Sequence, residues 1–392
     1  MRIAIFSDTF SPEINGVATS TSNLHTILNR MGHFCITVTT NPYSKETIFE
    51  NNVIRVPGIE LKRLYNYRMA SFFNSKAAKI LNSFKIDVVH IQTEAGVGIF
   101  GKIYAKMKRI PYVYTYHTMY EDYTYYATKG KVEPLAKKIV RNYSKWQAEA
   151  ASELISPSDK TKEALREYGV DRYINVVPTG IDFSRFEKKN IDFDELKRVK
   201  KELGIDKTFN LIYVGRIAKE KGIDVLLRGY QKFLEKEASS NVLTKFVIVG
   251  GGPALLELEE LSRHLKISDQ VVFVGKVPPD KVGFYYHLGD VFASASVTET
   301  QGLTFMEAMA ASKLLMARYD ENLVGVIKDK ETGLFFKDEN DFVKKFVTVL
   351  QMDEKVREGM VAKAYELSQK YSLETFGRNV IRVYERAVRN YW

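Results

Sequence analysis

The chain alternates short apolar runs with helix-length segments, in two successive series. RIAIF (2–6), CITVTT (35–40), DVVHI (87–91), YVYTY (112–116), ELIS (153–156) and NVV (175–177) are largely apolar or β-branched. Such runs suit parallel strands covered on both faces. Residues 17–31, 72–83, 96–108, 133–149 and 159–168 between them have helical spacing. Strand–helix–strand order of this kind builds a parallel sheet.

The first series stops after PTGID (178–182), and residues 183–207 are charged and strand-poor, a linker plus a leading helix that ends near Gly204. A second series follows with FNLIYVG (209–215), FVIVG (246–250), VVFVG (271–275), DVFASA (290–295) and KLLMA (313–317). A chain of 392 residues exceeds what one core usually supports. The pattern predicts an α/β fold of two Rossmann-like doubly wound domains, 1–182 and 183–372, facing across a cleft. A last helix over 373–392 is free to return to the N-terminal domain.

Composition narrows the class. Hydrophobic residues make up 45% and charged ones 27%, as in an ordered globular protein. The single cysteine, Cys35, excludes an internal disulfide and a cysteine metal cluster, and fits a reducing compartment. MRIAIFSD reads as a strand rather than a leader, and no apolar stretch reaches the roughly 18 residues that spanning a bilayer takes. The charge is uneven: Arg55–Lys145 holds 17 Lys/Arg against 6 Asp/Glu, while the whole chain is +10. A local basic patch suits nucleic acid, an anionic membrane or an acidic substrate; it is equally a solvated surface.

Open α/β sheets bind ligands beyond the carboxyl ends of their strands, so the loops there carry the candidate residues. Gly16, in FSPEINGVATS, would let backbone amides approach an anion at a helix start, although Asn15-Gly16 is also a plain turn. His117 follows YVYTY and would face the cleft; a structural histidine among seven tyrosines at 112–126 is the plainer alternative. In YVGRIAKEKG, Gly215 ends a strand, and Arg216 and Lys221 suit a diphosphate, unless Glu220 pairs them locally. VGGGP, with Gly252, and VGKVP, with Lys276, would offer backbone groups. In TETQGLTFMEAMA, Gly302 permits a close helix start at which amides near Leu303 and Thr304 could receive phosphate oxygens. Glu299 and Glu307 flank it, placed to accept hydrogen bonds from sugar and ribose hydroxyls. Two glutamates eight apart also arise by chance.

Taken in order, the NGV loop, VVHIQTE (88–94), TYHT (115–118), VPTGID (177–182), VGRIAKEKG, VGGGP and Glu299-x7-Glu307 resemble the retaining GT-B glycosyltransferases with an E-x7-E motif. Within that family TYHTMYEDYTYY, GRIAKEK and SVTETQGLTF are most similar to the bacterial diacylglycerol glucosyltransferases. The resemblance implies that Arg216 and Lys221 stabilise a diphosphate leaving group, that Glu307 holds the ribose and Glu299 the donor sugar, that Gly16 approaches phosphate or sugar, and that His117 contacts the donor hexose near the reacting carbon. It also implies a UDP-sugar substrate and no metal or other cofactor. Gln301 and Gly251 stand where the family often has an aromatic and an acidic residue, which bears on sugar preference.

A lipid acceptor would give the basic patch a purpose. ELKRLYNYRMASFFNSKAAK (60–79) mixes cations with apolar residues, and Lys62, Arg63, Arg68, Phe72 and Phe73 would face an anionic membrane. A solvent-facing helix with its apolar side in the core is the alternative. The expected activity is transfer of a hexose, glucose first, from a UDP-sugar to diacylglycerol with an α-linkage, peripherally at the inner face of the cell membrane. The rivals are the same chemistry on a soluble sugar, metabolite or protein, a sugar-nucleotide epimerase, and a nucleic-acid binder, for which no RNA-module motif is present.

Overall fold

Strand β1 (Arg2–Phe6) shows why the first sheet is covered on both sides. Ala4 and Phe6 enter one apolar cluster while Ile3 and Ile5 enter another, since successive side chains point to opposite faces. The computed structural model describes residues 1–13, 15–42, 44–61, 67–117, 133–236, 242–297, 299 and 301–391. It divides into two units, Met1–Gly180 with Leu373–Trp392, and Ile181–Ser372.

The first unit runs β1, α1 (Gly16–Arg30), β2 (Phe34–Asn41), β3 (Ile48–Glu50), β4 (Val53–Leu61), β5 (Tyr67–Ala70), α2 (Ser75–Asn82), β6 (Val88–Ile91), α3 (Gly96–Lys108), β7 (Tyr112–Thr115), α4 (Glu133–Ala150), β8 (Glu153–Ser156), α5 (Asp159–Glu167) and β9 (Ile174–Val176). Its sheet order is β3-β4-β2-β1-β6-β7-β8-β9, with β5 also on β4. β1 pairs in parallel with β2 and with β6, so the winding reverses there.

Three strands escape the sequence pattern. β4 lies parallel to β2, and β3 and β5 are antiparallel to β4. Pro57 and Gly58 sit inside β4 and break the apolar signal. The segment 60–79 is accordingly no single helix: it closes β4, forms β5 and enters α2. The helix expected from residue 72 starts at Ser75, because the Asn74 side chain accepts from the Ala77 amide and caps it.

The second unit contains α6 (Phe193–Glu202), β10 (Phe209–Val214), α7 (Ile223–Lys236), β11 (Thr244–Val249), α8 (Leu255–His264), β12 (Val271–Gly275), α9 (Val282–Tyr286), β13 (Val291–Ser294), α10 (Leu303–Ala310), β14 (Leu314–Arg318), β15 (Leu334–Phe336), α11 (Glu339–Leu350) and α12 (Glu354–Ser368). The order is β12-β11-β10-β13-β14-β15, all parallel. Ile212 and Val214 face one core, Leu211 and Tyr213 the other. The three-residue strand β15 carries too little periodicity to be read from sequence.

The last helix, α13 (Leu373–Tyr391), belongs to the first unit. Phe376, Val380, Val383, Tyr384 and Ala387 complete the cluster of Ile3 and Ile5. Gly377 lets it approach α1, for a Cβ there would lie 2.8 Å from Met31 Sδ. Arg386 adds two hydrogen bonds to the Glu153 carboxylate, at 2.7 and 3.0 Å.

Candidate active site

In the second unit the winding reverses between β10 and β13, which brings the loops after those strands together. The loop after β10 carries Gly215, Arg216 and Lys221. A Cβ on Gly222, whose φ is +62°, would sit 2.7 Å from the Ala295 carbonyl, so the glycine permits this loop to press on the one after β13. A Cβ on Gly215 would lie 3.7 Å from Thr304 Cγ2, placing Gly215 beside the first turn of α10.

Backbone bonds lace the neighbouring loops to this pair. Gly215 N donates to Val249 O, Ile217 N to Gly251 O and Gly250 N to Gly275 O, each at 3.0 Å. Gly252 and Lys276 therefore stand at the same end of the sheet, Lys276 exposed.

The charges pair across this crevice. Lys221 Nζ lies 2.7 Å from Glu299 Oε1, with both side chains largely shielded from solvent. Arg216 meets Glu220, the local partner that the sequence left open. The two cations thus sit at the expected place, each beside a carboxylate.

Gly302 is the N-cap of α10 with φ +73°, and no side chain caps the helix. Leu303 and Thr304 open its first turn, where the dipole favours an anion. Glu307 lies on the same helix, partly buried, and its Oε2 accepts from the Tyr286 hydroxyl at 2.8 Å. Burial pushes its carboxyl up to about 7, against the pull of that hydrogen bond and of the Arg185 charge. This crevice therefore holds cations, an uncapped helix start and two carboxylates, which suits a ligand with an anionic middle and hydroxyl-bearing ends.

The first unit holds the other two residues. Gly16 opens α1, whose Ala18 amide is already taken by the Asn15 cap at 2.8 Å. His117 follows β7, and its Nε2 meets Gln92 Oε1; burial pulls its pKa down to about 4. Gln92 touches His90, and His90 Nδ1 lies 2.7 Å from the Tyr384 hydroxyl. The rest of the tyrosine run, 118–126, lies outside the described residues, as do Lys62 and Arg63 and the side chain of Arg68. Phe72 and Phe73 are exposed, near exposed Ile59 and Met69 on the β4–β5 pair.

Sequence reasoning missed Tyr286, which holds Glu307, and did not connect Gln92, His90 and Tyr384 with His117. His90 and Gln92 carried a signal: two polar residues spaced by two at a buried strand share one face. Among the described residues no group of three or more His, Cys, Asp or Glu could hold a metal ion, and no helix is long and apolar enough to cross a membrane.

Two family models match the chain, Glycosyltransferase Family 4 over residues 14–185 and Glycosyl transferases group 1 over 196–367. The alpha-monoglucosyldiacylglycerol synthase of Streptococcus pneumoniae is 34% identical over 392 residues, covering 99% of this chain and 86% of that protein. That of Acholeplasma laidlawii is 36% identical over 397 residues, covering 98% and 96%. Among solved structures, Anabaena Alr3699/HepE in complex with UDP-glucose superposes with a TM-score of 0.73 at 15% identity, covering 97% and 98% of the two chains. Sucrose-phosphate synthase from Thermosynechococcus elongatus reaches 0.76 at 18% identity, covering 99% of each. At those identities the structures speak for the fold alone.

Proposed function

This chain belongs to the retaining GT-B glycosyltransferases, and from that membership we propose that it transfers glucose from UDP-glucose to the free hydroxyl of diacylglycerol. The observation that carries this reading is similarity at 34–36% identity over nearly the whole chain to two alpha-monoglucosyldiacylglycerol synthases. The crevice supplies the chemistry. The bond between the anomeric carbon and the UDP oxygen breaks, and a bond to the lipid hydroxyl oxygen forms on the same face of the sugar. The hydroxyl proton leaves with the diphosphate. Arg216 and Lys221 stabilise the negative charge that builds on that leaving group, and once donor binding has turned them to the diphosphate they need no further reorganisation as it forms. The amides at Leu303 and Thr304 share the load, with Gly215, Gly252 and Lys276 around the nucleotide. Glu307 accepts from the ribose, and Glu299 and His117 hold the hexose, with Gly16 at the donor's edge. No metal is needed where cations and a helix start already neutralise the diphosphate.

The acceptor places the enzyme at a lipid surface. Ile59, Met69, Phe72 and Phe73 are exposed in the basic first unit, and aromatic and aliphatic side chains among lysines suit an anionic interface. The enzyme acts peripherally there, on the inner face of the cell membrane.

Purified protein is mixed with UDP-glucose and diacylglycerol in vesicles containing an anionic lipid. The expected products are α-glucosyl-diacylglycerol and an equal amount of UDP. Transfer only to a water-soluble sugar, or UDP release without glycolipid, would sink the assignment.

A further inference from the structure

At the end of β6, His90 and Gln92 are both buried. An unpaired polar group there costs about 1–3 kcal/mol, so their partners define the local structure. His90 Nδ1 lies 2.7 Å from the Tyr384 hydroxyl on α13, and His90 Nε2 lies 2.7 Å from Thr115 Oγ1 at the end of β7. Both in-plane positions of that imidazole are thereby used.

Gln92 Nε2 lies 3.1 Å from one nitrogen of the same ring and 3.2 Å from the other. A site in the ring plane equidistant from both would collide with the Cε1–H, so the amide nitrogen stands over the ring face. An N–H is attracted to that face, whereas a carbonyl oxygen would be repelled by its electron density. The amide is therefore oriented with Nε2 over His90 and Oε1 toward His117 Nε2. Oε1 has no proton to give, so His117 must donate from Nε2.

We propose that Gln92, anchored through His90 on Tyr384 of the C-terminal helix, is a positioning residue that holds His117 with its proton on Nε2 and its Nδ1 as the acceptor for a hydroxyl of the donor hexose. The proposal rests on the reading of His117 as a residue that touches the donor. Burial keeps both rings neutral at pH 7, with His90 near 3 and His117 near 4, so each must adopt one tautomer and the partner of the other nitrogen selects it. A void beside these rings measures about 10 Å³, room for one water at most. α13 thereby supports the site as well as the core.

Histidine ring ¹⁵N spectra of the full chain read the tautomer directly. The expected state of His117 is the Nε2–H form, with Nδ1–H gaining population in Gln92→Ala. In glucosyl transfer, Gln92→Ala and Tyr384→Phe are each expected to lower kcat about tenfold with KM for UDP-glucose changed by less than about twofold. Tyr384→Phe keeps the buried ring, which guards against simple unfolding. In a double-mutant cycle, adding Gln92→Ala to His117→Ala is expected to produce no further loss. Losses that multiply instead, or a His117 tautomer that ignores Gln92→Ala, overturn the positioning role. Full kcat in His117→Ala overturns the donor contact itself, a distinct failure, and the spectra judge the Gln92 link independently of it.

Discussion

Lys221 and Glu299, 78 positions apart in the chain, form an ion pair with Nζ 2.7 Å from Oε1. They meet because β10 and β13 are neighbours in the sheet, so the loops leaving them share one crevice. In the proposed complex both change partners, Lys221 turning to the diphosphate and Glu299 to the hexose. The ion pair thus holds the cation and the carboxylate against each other.

Removing that cation tests the leaving-group role. Lys221→Ala is expected to lower kcat by about 10²–10³-fold, the loss typical of one fixed electrostatic contact to a developing anion. Stability should fall by about 2 kcal/mol as well, because the substitution strands the shielded Glu299 carboxylate. Steady-state transfer assays beside a urea titration separate the two; a kcat within threefold of the parent would contradict the role.

Glu307 predicts a trade between stability and binding. Its folded pKa, about 7, lies above the ordinary 4.5, so the folded state keeps the proton more tightly than the unfolded chain. Stability therefore falls as pH rises from about 4.5 to 7, and the full cost of the buried charge is present above that. Glu307→Gln removes the charge yet still accepts from Tyr286. It should unfold like the parent at pH 4 and gain about 1–3 kcal/mol at pH 8, while KM for UDP-glucose rises about tenfold. Identical unfolding curves at pH 8 would refute the strain.

The hold on the C-terminal helix is measurable through Arg386. Burial opposes the Glu153 charge, but the Arg386 and Asn175 hydrogen bonds win and keep its carboxyl below 4.5. Arg386→Met should cost about 2 kcal/mol at neutral pH, since it strands a shielded carboxylate. A depressed carboxyl stabilises above its unfolded value and loses that contribution as pH falls through its folded one, so the deficit should shrink in acid. Adding Glu153→Gln should restore part of it in chemical denaturation. A deficit independent of pH would point to lost packing alone.

Surface apolar residues should govern lipid binding without touching the core. Ile59 is 75% exposed and Phe72 53% exposed; Phe73 is unsuitable because it packs edge-on against Phe100. Ile59→Ser and Phe72→Ser are each expected to weaken sedimentation with anionic vesicles roughly fivefold, equivalent to about 1 kcal/mol of apolar transfer, with added salt weakening it further. Binding that ignores both substitutions and salt would remove the membrane face from this region.

The fold class was legible because it rests on local signals. Apolar runs such as RIAIF and FVIVG are continuous since a parallel strand is buried on both faces, and that burial leaves its mark residue by residue. The excursion over β3, β4 and β5 was not legible, since Pro57 and Gly58 interrupt it and its pairing is set by β2. The residues offered for the donor crevice could be picked from loop position alone, because every parallel strand delivers its next loop to the same end of the sheet.

Sequence alone therefore determined the strands other than β3, β4, β5 and β15, which loops end on the carboxyl side and which charges those loops carry. Only the tertiary structure decided which loops are neighbours. Strand order is a matter of pairing between distant segments, and no local periodicity encodes it. That order joins Lys221 to Glu299, and the docking of α13 joins Tyr384 to His90, 294 positions away. The same packing brings Tyr286 to Glu307 and lifts its carboxyl to about 7, because burial, the cause of the shift, exists only once the chain has folded.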